Sequence, residues 1–261
     1  MKATAARVLL TGASGGIGQA MAQTLRQAGA HVMGVGRAAA PTPAGTDWVQ
    51  ADLTTAEGQA AVGEAAAAWG ANVLVHAAGL PCFGPLGAVP PAQVQAVLQA
   101  NLLAPLLLTQ RLLPQLLRQP RAQIVFVGST LGRIGLPGFS VYGASKAGLH
   151  GFAEALRREL NGTPVRVQIL GPRSTRTGFN DATVEAYNRA TGTAMDRPEA
   201  VAAALLQLIE SETAERFLGF PERLAVRLNG MLGALLDGSF VKHRRSLPAA
   251  PLQPVSQGTP S

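Results

Sequence analysis

The chain of 261 residues is 47% hydrophobic and 14% charged, which excludes a disordered chain and fits one sizeable α/β domain. Its net charge of +7 raises nucleic-acid binding, yet no basic stripe interleaves with aromatics, so no nucleic-acid partner is expected. No apolar run reaching the roughly 18–20 residues of a membrane span is expected, the first residues are not expected to form a signal peptide, no metal site is expected, and the single cysteine, Cys82, suits a reducing cytoplasm.

Taken in chain order, β-branched or Leu-rich runs predict strands over 7–11, 31–36, 48–51, 73–76, 123–128 and 165–170. Longer Ala, Leu and Gln segments predict helices over 16–27, 55–69, 92–118, 139–160 and 197–210. Continuous apolar strands separated by helices imply a single Rossmann-type, doubly wound parallel β-sheet with helices on both faces. Residues 1–215 make up this nucleotide-binding and catalytic domain, 216–245 an atypical C-terminal amphipathic extension, and 246–261 a chargeless tail expected to be disordered.

The first strand runs into Thr11-Gly12-Ala13-Ser14-Gly15-Gly16-Ile17-Gly18. Gly12 permits a tight turn, Gly16 admits a diphosphate to the positive end of the following helix, and Gly18 lets helix and strand pack closely. The second strand ends in Gly36-Arg37 rather than in a carboxylate. An acid there would hold a ribose diol; an arginine pairs with a 2′-phosphate instead, so NADP(H) is the expected cofactor. Asp52, after the third strand, is placed to accept from an adenine amino group.

Tyr142 and Lys146 lie four residues apart, on one face of a predicted helix, and Ser129 ends the strand before it. With the glycine loop and Asn101, these residues stand in the order and at the spacing of the short-chain dehydrogenase/reductase family, which the sequence resembles from about Val8 to about Glu210. The resemblance implies an oxidoreductase that interconverts a carbonyl and a secondary alcohol. Tyr142 is the proton donor or acceptor, Lys146 the cation that lowers its pKa, and Ser129 the group that orients the substrate oxygen. Pro105 lacks the N–H that would bond the carbonyl of Asn101, and family members are thought to relay protons through a water held there. The resemblance assigns cofactor contacts to Thr11, Gly12, Ser14, Gly16, Ile17 and Gly18, to Arg37, Asp52 and Leu53, to Ala78 and Gly79, to Tyr142 and Lys146, and to Pro172 and Thr177.

Two stretches depart from the family. His76-Ala77-Ala78-Gly79 replaces the usual Asn-Asn-Ala-Gly, so bracing hydrogen bonds must be made otherwise and His76 is expected to be structural. Arg173 stands in place of a glycine, which questions the local backbone.

Leu80, Phe83, Leu131, Ile134 and Phe179 are expected to wall the substrate pocket, with Arg173 and Arg176 on a lid loop. Such a wall suits a small lipophilic carbonyl or alcohol, such as a keto-lipid, a steroid or an aryl ketone. The family's usual C-terminal strand is not recognisable. Instead Phe217–Phe220 reads as strand-like, and Leu224, Leu228, Met231, Leu232 and Leu235 recur at helical spacing after Pro221. Six basic residues (Arg216, Arg223, Arg227, Lys242, Arg244, Arg245) against Glu222 and Asp237 give that region a net +4. The stripe can pack on the enzyme's own pocket, on a second subunit of a homodimer or tetramer, or on an anionic membrane surface. A non-catalytic NADP-binding regulatory or membrane-surface protein on the same fold is the alternative function.

Overall fold

The computed structural model describes residues 1–39, 46–219, 229 and 237–248. Seven strands form one sheet: β1 (Arg7–Thr11), β2 (His31–Gly36), β3 (Asp47–Gln50), β4 (Val73–His76), β5 (Ala122–Val127), β6 (Val165–Gly171) and β7 (Glu215–Phe217). Their order is β3-β2-β1-β4-β5-β6-β7, and every pair is parallel. The order reverses between β1 and β4, so a crevice opens at the carboxyl ends of the strands.

Alternation along the strands divides the core. Val8, Leu10, Val32, Val73 and Val75 face α1 (Gly16–Gln27) and α7 (Pro198–Ser211) through Met21, Leu25, Leu205 and Leu208. Leu9, Val35, Leu74, Ile124 and Phe126 face the other way, onto α2 (Ala56–Trp69), α4 (Ala104–Leu117) and α5 (Ser140–Glu159). Both faces are buried at the centre of the sheet, which is why β1, β2 and β4 read as largely apolar runs. Thr55 caps α2 by accepting from the Gly58 N–H at 3.0 Å, and Gly70 ends it with φ +76°.

Three sequence expectations change. The helix expected over 92–118 is α3 (Pro91–Leu98), one wider π turn at Gln99–Leu103, and α4. By length and composition Pro91–Leu117 could cross a membrane, although no uninterrupted apolar run marks it. In this fold its Leu108, Leu112 and Leu116 are buried against the sheet. A further helix, α6 (Ala182–Thr191), occupies a stretch for which no element was expected, capped by Asp181 and ended by Gly192 at φ +75°. The strand expected near the C-terminus is β7, which lies earlier and pairs with β6 through Ile169, Leu170 and Gly171. The helical stripe from Pro221 to Leu235 and the tail beyond Pro248 lie outside the described residues. A short helix, α8 (Val241–Arg245), follows.

Far from the crevice, Glu212 ends α7 with φ +56°, the one positive φ of a non-glycine residue among those described. Its Oε1 accepts from the amino group of Met1 at 2.7 Å, from Arg121 Nε at 2.6 Å and from Gln123 Nε2 at 3.0 Å. Burial pushes its carboxyl up, but these partners outweigh that and hold it at about 2, below its ordinary 4.5. A depressed carboxyl stabilises the fold above its unfolded pKa, and that contribution is lost as pH falls toward the folded one. Urea denaturation should therefore show wild-type stability falling between about pH 4.5 and about 2. Glu212→Gln should start lower and lose less over that range; parallel curves would refute the assignment.

Candidate active site

A cavity of about 730 Å³ lies along the carboxyl ends of the strands. At its β2–β3 side stand Arg37, Asp52 and Leu53; in the middle, Gly12, Ser14, Gly16, Ile17 and Gly18 with Ala78 and Gly79; toward β5 and β6, Ser129, Tyr142, Lys146, Pro172 and Thr177. Every expected site residue except Thr11 and Asn101 lines it.

The middle is set by close backbone packing. Gly12 has φ +67°, and a Cβ there would lie 2.7 Å from Ala78 Cα. A Cβ on Gly18 would collide with the Gly12 carbonyl and lie 2.8 Å from Ala13 Cα. One on Gly16 would lie 2.8 Å from Thr177 Cγ2, so the loop after β6 rests on this glycine. Thr11 was expected to contact the cofactor. Its hydroxyl is instead committed to the sheet, accepting from the N–H groups of Ala77 at 3.0 Å and Ala78 at 3.1 Å. These bonds tie the end of β1 to the loop after β4 through backbone N–H groups, so they need no polar side chain at 77 or 78.

On the β2–β3 side Arg37 is exposed. Two residues that sequence reading overlooked fix its backbone. Trp48 lies over Gly34 and Gly36 and donates to the Ala38 carbonyl at 3.0 Å; Gln50 donates to the Arg37 carbonyl at 2.9 Å. Asp52 Oδ1 accepts from Thr54 Oγ1 at 2.7 Å and Thr54 N at 2.9 Å. The Thr54 side chain and then its N–H, with help from Arg37, hold the Asp52 carboxyl below its usual range.

On the β5–β6 side the tyrosine and lysine share a face of α5. Lys146 is buried, and its Nζ donates to the Val127 carbonyl at 3.0 Å and sits 5.8 Å from the Tyr142 ring centre. Burial brings its pKa down to about 8. Tyr142 was expected to have a lowered pKa. Burial instead pushes its phenol up to about 12, and a hydrogen bond with Ser129 offsets only part of that. Ser129 also accepts from the Leu131 N–H at 3.1 Å, which holds the start of the next turn.

Asn101, fully buried in the π turn, grips Leu80 at both ends of its amide. Oδ1 accepts from Leu80 N at 2.7 Å and Nδ2 donates to Leu80 O at 3.0 Å, with a further bond to Ser145 Oγ at 3.2 Å. Its side chain is thus structural, and Pro105, which has no N–H, cannot bond its backbone carbonyl. A Cβ on Gly79 would lie 3.1 Å from Asn101 Oδ1 and 3.8 Å from Lys146 Nζ, which puts all three at one place.

Leu80, Phe83 and Phe179 line the cavity as expected; Leu131 and Ile134 do not. The Leu131 turn packs its backbone on α5 at Gly143. Phe139, Asn180 and Val184 line it unforeseen. The signal for Val184 was the Asp181 cap that starts α6. Arg173 keeps an ordinary backbone and pairs with Asp196, Nη2 to Oδ1 2.8 Å.

A sheet with this strand order, a glycine loop and a Ser–Tyr–Lys constellation at its carboxyl edge define a nucleotide-dependent oxidoreductase fold. The sequence profile of the short chain dehydrogenases matches residues 6–188, and the chain belongs to that family. It is 32% identical to the ketoacyl reductase HetN of Nostoc sp., covering 81% of this chain and 78% of that protein. It is 28% identical to the 3-oxoacyl-[acyl-carrier-protein] reductase FabG of Escherichia coli, over 67% and 75%. A short chain dehydrogenase from Burkholderia cenocepacia, solved with NADP, shares the fold with a TM-score of 0.81 at 23% identity, over 92% of this chain and 99% of that one.

His76 is buried, stacks on Phe126 at 4.9 Å and bonds Thr109 through Nε2 at 2.9 Å. Burial, and then the charge of Lys146, push its pKa down to about 3. Its ring resonances should therefore not titrate in an NMR series across about pH 5–8, where an ordinary histidine does. A midpoint in that window would mean that the imidazole is not held neutral.

Proposed function

We propose that the protein interconverts a lipophilic ketone and a secondary alcohol with NADP(H), Tyr142 exchanging the proton. One observation carries this reading: Ser129, Tyr142 and Lys146 line the same cavity as the glycine loop and Arg37. The cavity's chemistry fits a phosphorylated dinucleotide. It has the positive end of α1 for a diphosphate, Arg37 for a 2′-phosphate, and Asp52 and Leu53 beside an adenine. When bound, that cofactor supplies or accepts the hydride.

The chain's own groups do the rest. A phenol held near 12 stays protonated at neutral pH, as a proton donor for reduction must. Ser129 hydrogen-bonds Tyr142 and would orient the substrate oxygen against it. Lys146, with a pKa of about 8, keeps most of its charge at neutral pH, facing the phenolate left when the proton has gone. The Asn101 carbonyl can hold a water that returns a proton by way of Lys146. Phe83, Phe139, Phe179 and Val184 give the substrate side an apolar wall, which suits the acyl chains named for the two relatives.

NADPH should bind more tightly than NADH. Arg37→Ala should weaken NADPH by about tenfold or more, the worth of one charge-assisted hydrogen bond, and leave NADH unchanged. Equal wild-type affinities for the two cofactors, in a fluorescence titration, would remove the NADP(H) reading.

Tyr142→Phe keeps the ring and removes the proton donor. Turnover should fall by about 10²-fold or more, while NADPH affinity stays near wild type. Substantial turnover in this variant, followed by NADPH absorbance, would overturn the mechanism.

A further inference from the structure

We propose that the C-terminal segment 237–248 is a strap that holds the aromatic wall of the substrate cavity, and that Leu247 and His243 are specificity-determining positioning residues. The proposal rests on the reading that this cavity takes a lipophilic carbonyl. Phe83 lines the cavity and belongs to an aromatic cluster: its ring centre is 4.8 Å from Phe139 and 4.9 Å from Tyr187. Tyr187, on α6, is buried, and its hydroxyl donates to the Pro137 carbonyl at 3.2 Å. The same helix puts Val184 into the cavity.

The strap grips this cluster from behind at two points. His243, on α8, meets Tyr187 edge-on at 5.9 Å. Leu247 reaches Gly138: a Cβ there would lie 2.6 Å from Leu247 Cδ2 and 2.6 Å from Phe83 Cε2, so leucine and phenylalanine together fill the space a side chain at 138 would take. Gly138 in turn accepts from the Gly84 N–H at 2.9 Å, next to Phe83 in the chain. Neither His243 nor Leu247 lines the cavity. The strap therefore acts on the substrate side, through Phe83, and leaves the cofactor side alone.

The test uses full-length Leu247→Ala, His243→Ala and Leu247→Met, assayed with NADPH and a homologous series of straight-chain methyl ketones. Loosening the wall should raise KM for the longer ketones by about fivefold or more in both alanine variants, with kcat within about twofold. NADPH affinity should be unchanged and Leu247→Met close to wild type. The Gly84 amide should exchange with deuterium faster in Leu247→Ala, while amides of the central strands keep their protection. Unchanged KM across the series, a KM shift matched by an equal shift in NADPH affinity, or unaltered Gly84 exchange would each overturn the strap. The oxidoreductase reading is judged separately, by loss of turnover in Tyr142→Phe. If no ketone turns over in the wild type, the lipophilic-carbonyl reading fails, and faster or unaltered Gly84 exchange still decides whether the strap holds the wall.

Discussion

Three backbone segments meet at the head of the sheet more closely than side chains would allow. The end of β1 turns at Gly12 against Ala78, and the first turn of α1 comes back over Gly12 at Gly18. A methyl group at either glycine would force a carbonyl or a Cα out of place, at a cost typical of overpacking. Because the contact holds, the unpaired N–H groups of α1 open onto the cavity. The Thr11 hydroxyl then falls within reach of two N–H groups of the β4 loop. The next residue, Gly79, brings that loop against Asn101 and Lys146. One run of tight contacts thus links the glycine turn to Lys146 across the cavity.

Burial sets the protonation of this centre. It favours the neutral form of every group, so lysine and histidine go down and tyrosine goes up. The shifts leave one cation. Lys146 at about 8 retains charge at neutral pH, whereas His76 at about 3 does not, partly because Lys146 stands beside it. A charged imidazole at position 76 would compete with the lysine in one dry region. A neutral ring, stacked on Phe126 and bonded to Thr109, fills the volume without that conflict. A histidine is thus accommodated at this position without adding a second charge.

The parts of the fold that were legible are those governed by short stretches of sequence. β1, β2, β4 and α1 have the expected ends because an apolar run or a glycine marks each boundary locally. The glycine loop, Ser129, Tyr142 and Lys146 were each legible as short motifs, and the fold brings them to one cavity. What was missed depends on distant partners. α6 carries a capping aspartate and a terminal glycine, yet its apolar face is only Val184 and Tyr187, too sparse to stand out without the aromatic cluster it packs on. Trp48 reads as an ordinary strand residue until β2 is seen to offer it Gly34 and Gly36 as a flat bed. The π turn is invisible because a helix with one extra residue keeps almost the same apolar pattern; its consequence, the inward Asn101, is a matter of register.

Arg173 shows why the substrate side resists sequence reading. An arginine in the loop over an apolar pocket suggests a site for an anionic substrate. In the fold it meets Asp196, which the chain supplies 23 residues later, and Nε and Nη2 both donate to the same carboxylate oxygen. The Asp196 backbone also brackets the loop, donating to Ser174 at 2.8 Å and accepting from Arg176 at 2.9 Å. The guanidinium is therefore a tether with its charge already answered, and the residue that stands in for a family glycine stiffens the loop that the glycine would have loosened. A cation adds anion specificity only when no carboxylate has reached it first. That second residue is fixed by tertiary folding, so the role of Arg173 cannot be read from the sequence of its own loop.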